Sequence, residues 1–217
     1  MKTLKETGQA DNTLVFFTSD NGPEEDSYPD SGFTPFKSGK GTTWEGGVRV
    51  PGIAYWPGMI TAGRVSDGLL DLMDLFNTAL AVGGIVDKIP TERYIDGIDQ
   101  TSFLLANEGQ SNRQAVFCYN QADFSGLRWG EFKAYFKVIQ YEQPFSNISM
   151  STYAPIGVSP WVFDIYRDPK ERLTRSNSDY EWAYGPILQM QTAHAATFVK
   201  YPKKDIGLGI GGGGDPR

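Results

Sequence analysis

The sequence predicts an α/β fold: buried strands with helices over the first half, then a small antiparallel sheet subdomain closed by a C-terminal helix. Three observations predict it. The apolar run Leu14-Val15-Phe16-Phe17 ends abruptly in Thr18-Ser19-Asp20-Asn21-Gly22, as a buried strand does when it delivers polar side chains at its carboxyl end. Apolar residues recur at helical spacing over 67–82. Beyond residue 114 the texture changes to short β-rich runs separated by turns, followed by a last helical pattern over 179–199.

Residues 2–7 read as the last turn of a helix closed by Gly8, and 12–19 as the first strand. That strand lacks in-out alternation, which suits a parallel strand covered on both faces. From 21 to 41 the chain is rich in Gly, Pro, Ser and Asp, including Tyr28-Pro29-Asp30-Ser31-Gly32, and reads as a long surface loop. A second apolar strand over 48–56 is broken by Pro51 and ended by Pro57-Gly58. Leu69, Leu70, Leu72, Met73, Leu75, Phe76, Ala79, Leu80 and Val82 make the amphipathic helix, with Gly83-Gly84 as its stop. A short helix or turn is expected at 101–106, and the polar patch 107–114 then divides the chain. Strands follow at 115–119, 126–129, 132–140 and 161–166, with Asp168-Pro169 as a turn after the last. Gly185-Pro186 is expected to delay the regular part of the final helix. The expected organisation is 1–110 as an α/β region, 111–206 as a small α+β subdomain, and 207–217 as a disordered Gly-rich tail.

With 217 residues, 40% of them hydrophobic and 21% charged, the chain can bury a core and has an ordinary soluble composition. No run approaches the length of a membrane span. A net charge of −6 argues against nucleic acid, which is bound through clustered Lys and Arg. One cysteine, Cys118, cannot make an internal disulfide; its place in a strand reads as a small buried hydrophobe. The only histidine, His194, falls in the last helix without a second imidazole and reads as structural or exposed. The sequon Asn147-Ile148-Ser149 carries little weight, because such triplets arise by chance. Trp129, Tyr135, Trp161 and Tyr166 read as core rather than as a sugar platform.

The chemistry concentrates in two motifs. A hard cation such as calcium wants six to eight oxygens, and the Asp20 carboxylate with the Asn21 amide oxygen are suitable donors. Neighbouring side chains on a strand point to opposite faces, so both reach one ion only where the strand has ended and Gly22 lets the backbone turn. The plain alternative for Asp-Asn-Gly is a turn. About twenty residues on, Ser38-Gly39-Lys40-Gly41-Thr42-Thr43-Trp44-Glu45-Gly46-Gly47 sets one lysine between glycines. An ammonium so placed can neutralise an oxyanion beside a metal; its plain alternative is a solvated loop lysine. Lys37 lacks the Gly-x-Gly setting, and Arg49 with Glu45 is expected to pair and shape the loop. A nucleotide P-loop is excluded, since Thr34 stands where its first Gly is required and Gly41 follows the lysine. An EF-hand fails too, because the stretch from Asp20 lacks the Asp/Asn alternation and contains Pro23 and Pro29.

Together Thr18-Ser19-Asp20-Asn21-Gly22 and Gly39-Lys40-Gly41-Thr42-Thr43-Trp44-Glu45-Gly46-Gly47, in this order and spacing, resemble the sulfatase family, the arylsulfatase-like branch of the alkaline-phosphatase superfamily. Weaker similarity runs through Trp56-Pro57-Gly58, Asp71-Leu72, Asp96-Gly97 and Asp164-Ile165-Tyr166-Arg167-Asp168-Pro169. The resemblance implies that the first region is the end of an alkaline-phosphatase-like mixed sheet. It also implies that Asp20 and Asn21 are ligands of Ca2+ or another divalent cation, and that Lys40 contacts the sulfate. It covers most of this chain but only the C-terminal part of a typical member. The family's nucleophile is a formylglycine made from a Cys/Ser-x-Pro-x-Arg motif. Cys118, in Val116-Phe117-Cys118-Tyr119-Asn120, is not in such a motif.

The resemblance therefore implies a sulfate ester substrate, a missing N-terminal half as partner, and a periplasmic, secreted or lysosomal setting. This chain alone is expected to be inactive. Apolar surface left where the missing half docks is expected to drive self-association. Two rivals stay open: a phosphodiesterase or phosphonate hydrolase of the same superfamily, and a non-catalytic binding module.

Overall fold

A computed structural model of the chain describes residues 1–24, 27, 30–120, 122–139, 153–173 and 179–202. The sequon at 147–149 and the Gly-rich tail lie outside the described residues. The chain divides into two compact units: Met1–Asp20 with Val50–Gln114, and Asn21–Arg49 with Ala115–Arg217.

In the first unit a short helix, α1 (Lys2–Glu6), is followed by Gly8 at φ +67. Strand β1 (Val15–Thr18) pairs antiparallel with β2 (Gly52–Tyr55), in the register Val15↔Tyr55 to Thr18↔Gly52. The expected parallel strand covered on both faces is thus corrected. A four-residue apolar run reads the same in either orientation, and here Phe17 is 63% and Ile53 57% exposed. Helix α3 (Asp74–Val82) ends at Gly83, and Gly84 adopts φ +69 as a helix stop requires. It starts later than its periodicity suggests. The Asp74 carboxylate accepts the Asp71 N–H at 3.0 Å, and the Asp71 carboxylate accepts the Met73 N–H at 3.1 Å, so local side-chain turns replace the first helical turns.

Asp74 is also the unit's buried ionic centre. It pairs with Arg113 and accepts from the Ile98 N–H at 2.7 Å and Gln100 Nε2 at 3.2 Å. Burial raises its carboxyl, but the Arg113 guanidinium and the backbone donors outweigh that and hold it below its ordinary value. The short helix α4 (Thr101–Leu105) buries Phe103 and Leu104.

The second unit is organised by an antiparallel sheet in the order β3 (Ala115–Asn120), β4 (Asp123–Trp129), β5 (Phe132–Tyr135) and β8 (Trp161–Asp164). A separate pair joins β6 (Lys137–Ile139) and β7 (Tyr153–Pro155). Period-two alternation assigns the faces. Leu127, Phe132, Ala134 and Val162 form one core with Ala183 and Ile187 of helix α5 (Glu181–Lys200). Tyr135 and Phe163 point the other way and pack with Trp44 and Ile165. Helix α5 runs straight through Pro186 instead of starting after it; buried Ala183 and Ile187, on either side of the proline, anchor it to the sheet. His194 is buried, stacked on Phe117 at 3.8 Å, with Nε2 2.6 Å from the Tyr119 hydroxyl, so of its two expected settings the structural one holds. Cys118 is buried as expected. Tyr166 is 56% exposed and is not core. Among the described residues no helix is long and apolar enough to cross a membrane.

Candidate functional site

The face of the sheet opposite α5 carries the loop that holds Lys40. Its second half, Thr42 to Gly47, is buried, and Glu45–Val48 forms a single helical turn, α2. The loop closes on itself through the Gly46 N–H, which donates to the Lys37 carbonyl at 2.8 Å. A Cβ on Gly46 would sit 1.9 Å from the Ser38 carbonyl oxygen, so no larger residue fits. Ser38 itself has φ 60 and Gly41 φ +87, both in the left-handed region a tight loop uses.

The chain after Asn21 lies along this loop. The Gly22 N–H donates to the Gly47 carbonyl at 3.0 Å, and the Lys40 N–H donates to the Pro23 carbonyl at 2.9 Å. A Cβ on Gly22 would meet the Gly46 carbonyl oxygen at 1.7 Å, which explains the glycine there. Asn21, half-buried, therefore opens a segment hydrogen-bonded to the lysine loop, while Asp20 is the exposed last residue of the first unit's opening segment. The Lys40 side chain is 43% exposed, and its ammonium meets the Glu24 carboxylate at 2.9 Å. Lys37, the rival lysine, is spent structurally: its ammonium lies 3.4 Å from the Trp44 ring centroid and donates to the Glu171 carbonyl at 3.2 Å.

Beneath Lys40 the loop is tied to the sheet by buried charge. Glu45 accepts from Lys133 Nζ at 2.8 Å and from Arg128 Nη1 at 2.6 Å, and Arg49 lies 3.7 Å away. The expected Glu45–Arg49 pair is present, but it is the weakest of the three contacts. Burial pushes the Glu45 carboxyl up; Lys133 and Arg128 outweigh this and hold it below its usual range. Lys133 is fully buried, which pulls its ammonium down, yet nearby Cys118, Glu45 and Glu171 leave it raised. Thr43 is held at two points, its N–H donating to the Tyr153 hydroxyl at 3.0 Å and its hydroxyl lying 2.9 Å from that of Ser125, while its carbonyl lies 3.1 Å from the Tyr135 hydroxyl.

None of Lys133, Tyr135, Ser125, Tyr153 or Glu171 stands out in the sequence as a support for the lysine. The one available signal was a lysine inside a strand, between Phe132 and Ala134, where an apolar residue or an exposed polar one is usual.

As a cation site, Asp20 and Asn21 fit in kind, being carboxylate and amide oxygens, and supply two donors of the six to eight that calcium takes. Among the described residues no group of three or more His, Cys, Asp or Glu side chains could complete it.

Comparison with known proteins gives this loop a context. A family model described as Sulfatase matches residues 1–85, which include both motifs. The chain is 35% identical over 216 residues to the N-acetylgalactosamine-6-sulfatase of Homo sapiens, covering 92% of this chain and 41% of that protein. It is 32% identical to the steryl-sulfatase of Rattus norvegicus, covering 94% of this chain and 39% of that one. Among solved structures it is similar to the PsFucS1 sulfatase from Pseudoalteromonas sp., at a TM-score of 0.90 and 52% identity, covering 95% of this chain and 41% of the other. The chain thus spans about two fifths of the length of these relatives.

Proposed function

We propose that this chain, a member of the sulfatase family, serves in sulfate ester hydrolysis by presenting Lys40 to the sulfate and two oxygens to a metal. One observation carries this reading. The Lys40 ammonium is half open to solvent and already engages an anionic oxygen, from Glu24 at 2.9 Å, above a loop whose base is buried and charge-paired. A sulfate oxygen has the same demand as that carboxylate oxygen, and an ammonium held in place costs no reorganisation as charge develops on the ester. A divalent cation held in part by the Asp20 carboxylate and the Asn21 amide oxygen would supply Lewis-acid polarisation of the sulfate when bound.

The chain's own residues bind and orient the anion; they do not include the formylglycine motif, and Cys118 is buried in β3. The isolated chain is therefore expected to show no turnover. A sulfate ester is the substrate class proposed, and a periplasmic, secreted or lysosomal setting accompanies it. The relatives' names span an amino-sugar sulfate and a steryl sulfate, so the alcohol part is left unassigned.

The test is a chimera in which this chain replaces the matching segment of the PsFucS1 sulfatase. Hydrolysis of a sulfate ester that the parent accepts is expected, with Lys40→Ala lowering kcat on the order of 100- to 1000-fold, as for loss of one transition-state donor. A Lys40→Ala chimera that keeps the unsubstituted rate, or one that prefers phosphate esters, would refute the proposal.

A further inference from the structure

Glu171 lies 131 residues beyond Lys40, just past the Asp168-Pro169 turn, in a backbone conformation with φ 48. A residue with a Cβ enters that region only at a steric cost, so its placement calls for a reason. The side chain supplies one. It is buried, Oε2 accepts the Glu45 N–H at 2.8 Å, and Oε1 lies 2.5 Å from the Tyr135 hydroxyl, which in turn reaches the Thr43 carbonyl at 3.1 Å. Its main-chain carbonyl accepts from Lys37 Nζ. One residue thus grips the lysine loop on both sides, at Lys37 three positions before Lys40 and at Glu45 five positions after it, with the Tyr135 hydroxyl set between its carboxylate and the Thr43 carbonyl.

We propose that Glu171 is a positioning residue for Lys40, the clamp that fixes the loop's backbone so that the ammonium has a set direction. The consequence for sulfate rests on the reading of Lys40 above; the clamp itself does not. Turn closure alone does not account for the side chain. The turn is already made by Asp168, whose carboxylate accepts the N–H groups of Arg172 at 2.6 Å and Leu173 at 2.7 Å, and whose carbonyl accepts that of Glu171 at 2.9 Å.

The test is residue-resolved hydrogen exchange on the 217-residue chain, without sulfate or metal, in Glu171→Gly, Glu171→Gln and Tyr135→Phe. Glycine is at ease at positive φ, so a residue needed only for the turn predicts unchanged or greater protection in Glu171→Gly. The clamp predicts instead that the Lys40 amide, which Glu171 does not touch, exchanges at least about tenfold faster, while the Leu127 and Ala134 amides of the sheet are unchanged. Glu171→Gln is expected to restore protection, because its amide can accept from the Glu45 N–H and donate to Tyr135, freeing Tyr135 to donate to Thr43. Faster exchange confined to Glu45, or equal loosening of loop and sheet, overturns the proposal. If Glu171→Gly does not fold, Tyr135→Phe decides: severalfold faster exchange at Lys40 supports the clamp, and no change overturns it. A failed clamp leaves the sulfate reading standing, and a chimera indifferent to Lys40 sinks that reading while leaving the clamp.

Discussion

Replacing Glu45 by glutamine should damage the second unit far more than the loss of one surface charge. The carboxylate is almost fully buried and meets Lys133 at 2.8 Å and Arg128 at 2.6 Å. At such distances each attraction is about 6 kcal/mol for an effective dielectric of 20, so about 12 kcal/mol of gross attraction opposes the desolvation of three charged groups. Removing only the anion leaves Lys133 and Arg128 buried together with Arg49 nearby, and the net cost of orphaning a buried ion pair is about 3–5 kcal/mol. In a chain of this size that corresponds to a fall in Tm of about 6–20 °C. Tryptophan fluorescence suits the assay, because Trp44, Trp129, Trp161 and Trp182 all belong to the second unit. The sign of the pH effect follows from the depressed Glu45 carboxyl: its contribution is present above the unfolded carboxyl value and is lost as pH falls through the lower folded one. Glu171 works in the opposite sense. Burial raises it, so its contribution is full below the unfolded value and declines as pH rises through the raised one. The Glu45→Gln chain should therefore unfold less steeply with acid as well as at lower temperature. A Tm within 1 °C of the unsubstituted chain at neutral pH would refute the reasoning.

Two further substitutions test other joints. Gly46→Ala places a methyl 1.9 Å from the Ser38 carbonyl and should break the Gly46–Lys37 closure, seen as loss of protection at the Gly46 amide while the β3–β5 amides keep theirs. Asp74→Asn in the first unit leaves Arg113 buried without its anion and should cost about 3–5 kcal/mol, measured by urea unfolding with hydrogen exchange at Ile98 and Gln100 as the local reporter.

What the sequence disclosed and what it hid divide along a physical line. The strands at 115–119 and 126–129 were legible because a sheet with one face against a helix writes its period into the chain, and α5 was legible for the same reason. The single strand expected at 132–140 was not, for it is divided at Phe136 into β5 and β6, which join different sheets. The start of α3 was not, because Leu69, Leu70, Leu72 and Met73 extend its apolar period while Asp71 and Asp74 hold a different backbone. The direction of β1 was not, because pairing partners leave no mark on a run of four apolar residues.

The candidate site divides in the same way. Asp20, Asn21 and Lys40 are conspicuous because their glycine settings are local, and Gly22 and Gly46 turn out to stand where two backbones touch. Of their supports, Lys133, Tyr135 and Ser125 are invisible because each is a polar residue at a position whose burial depends on sheet register. Glu45 and Glu171 are invisible because they lie outside the strands and are buried only by long-range contacts. Lys133 alternates with Phe132 and Ala134 as a solvent-facing lysine would, yet the face it occupies is covered by Trp44 and Glu45 of the lysine loop. A charge buried in this way reads as surface until its partner, 88 positions earlier, is known to lie over it. The Lys40 motif is legible in the chain, whereas Glu45, Lys133, Tyr135 and Glu171, which tie the buried half of its loop to the sheet, meet only when the chain is folded.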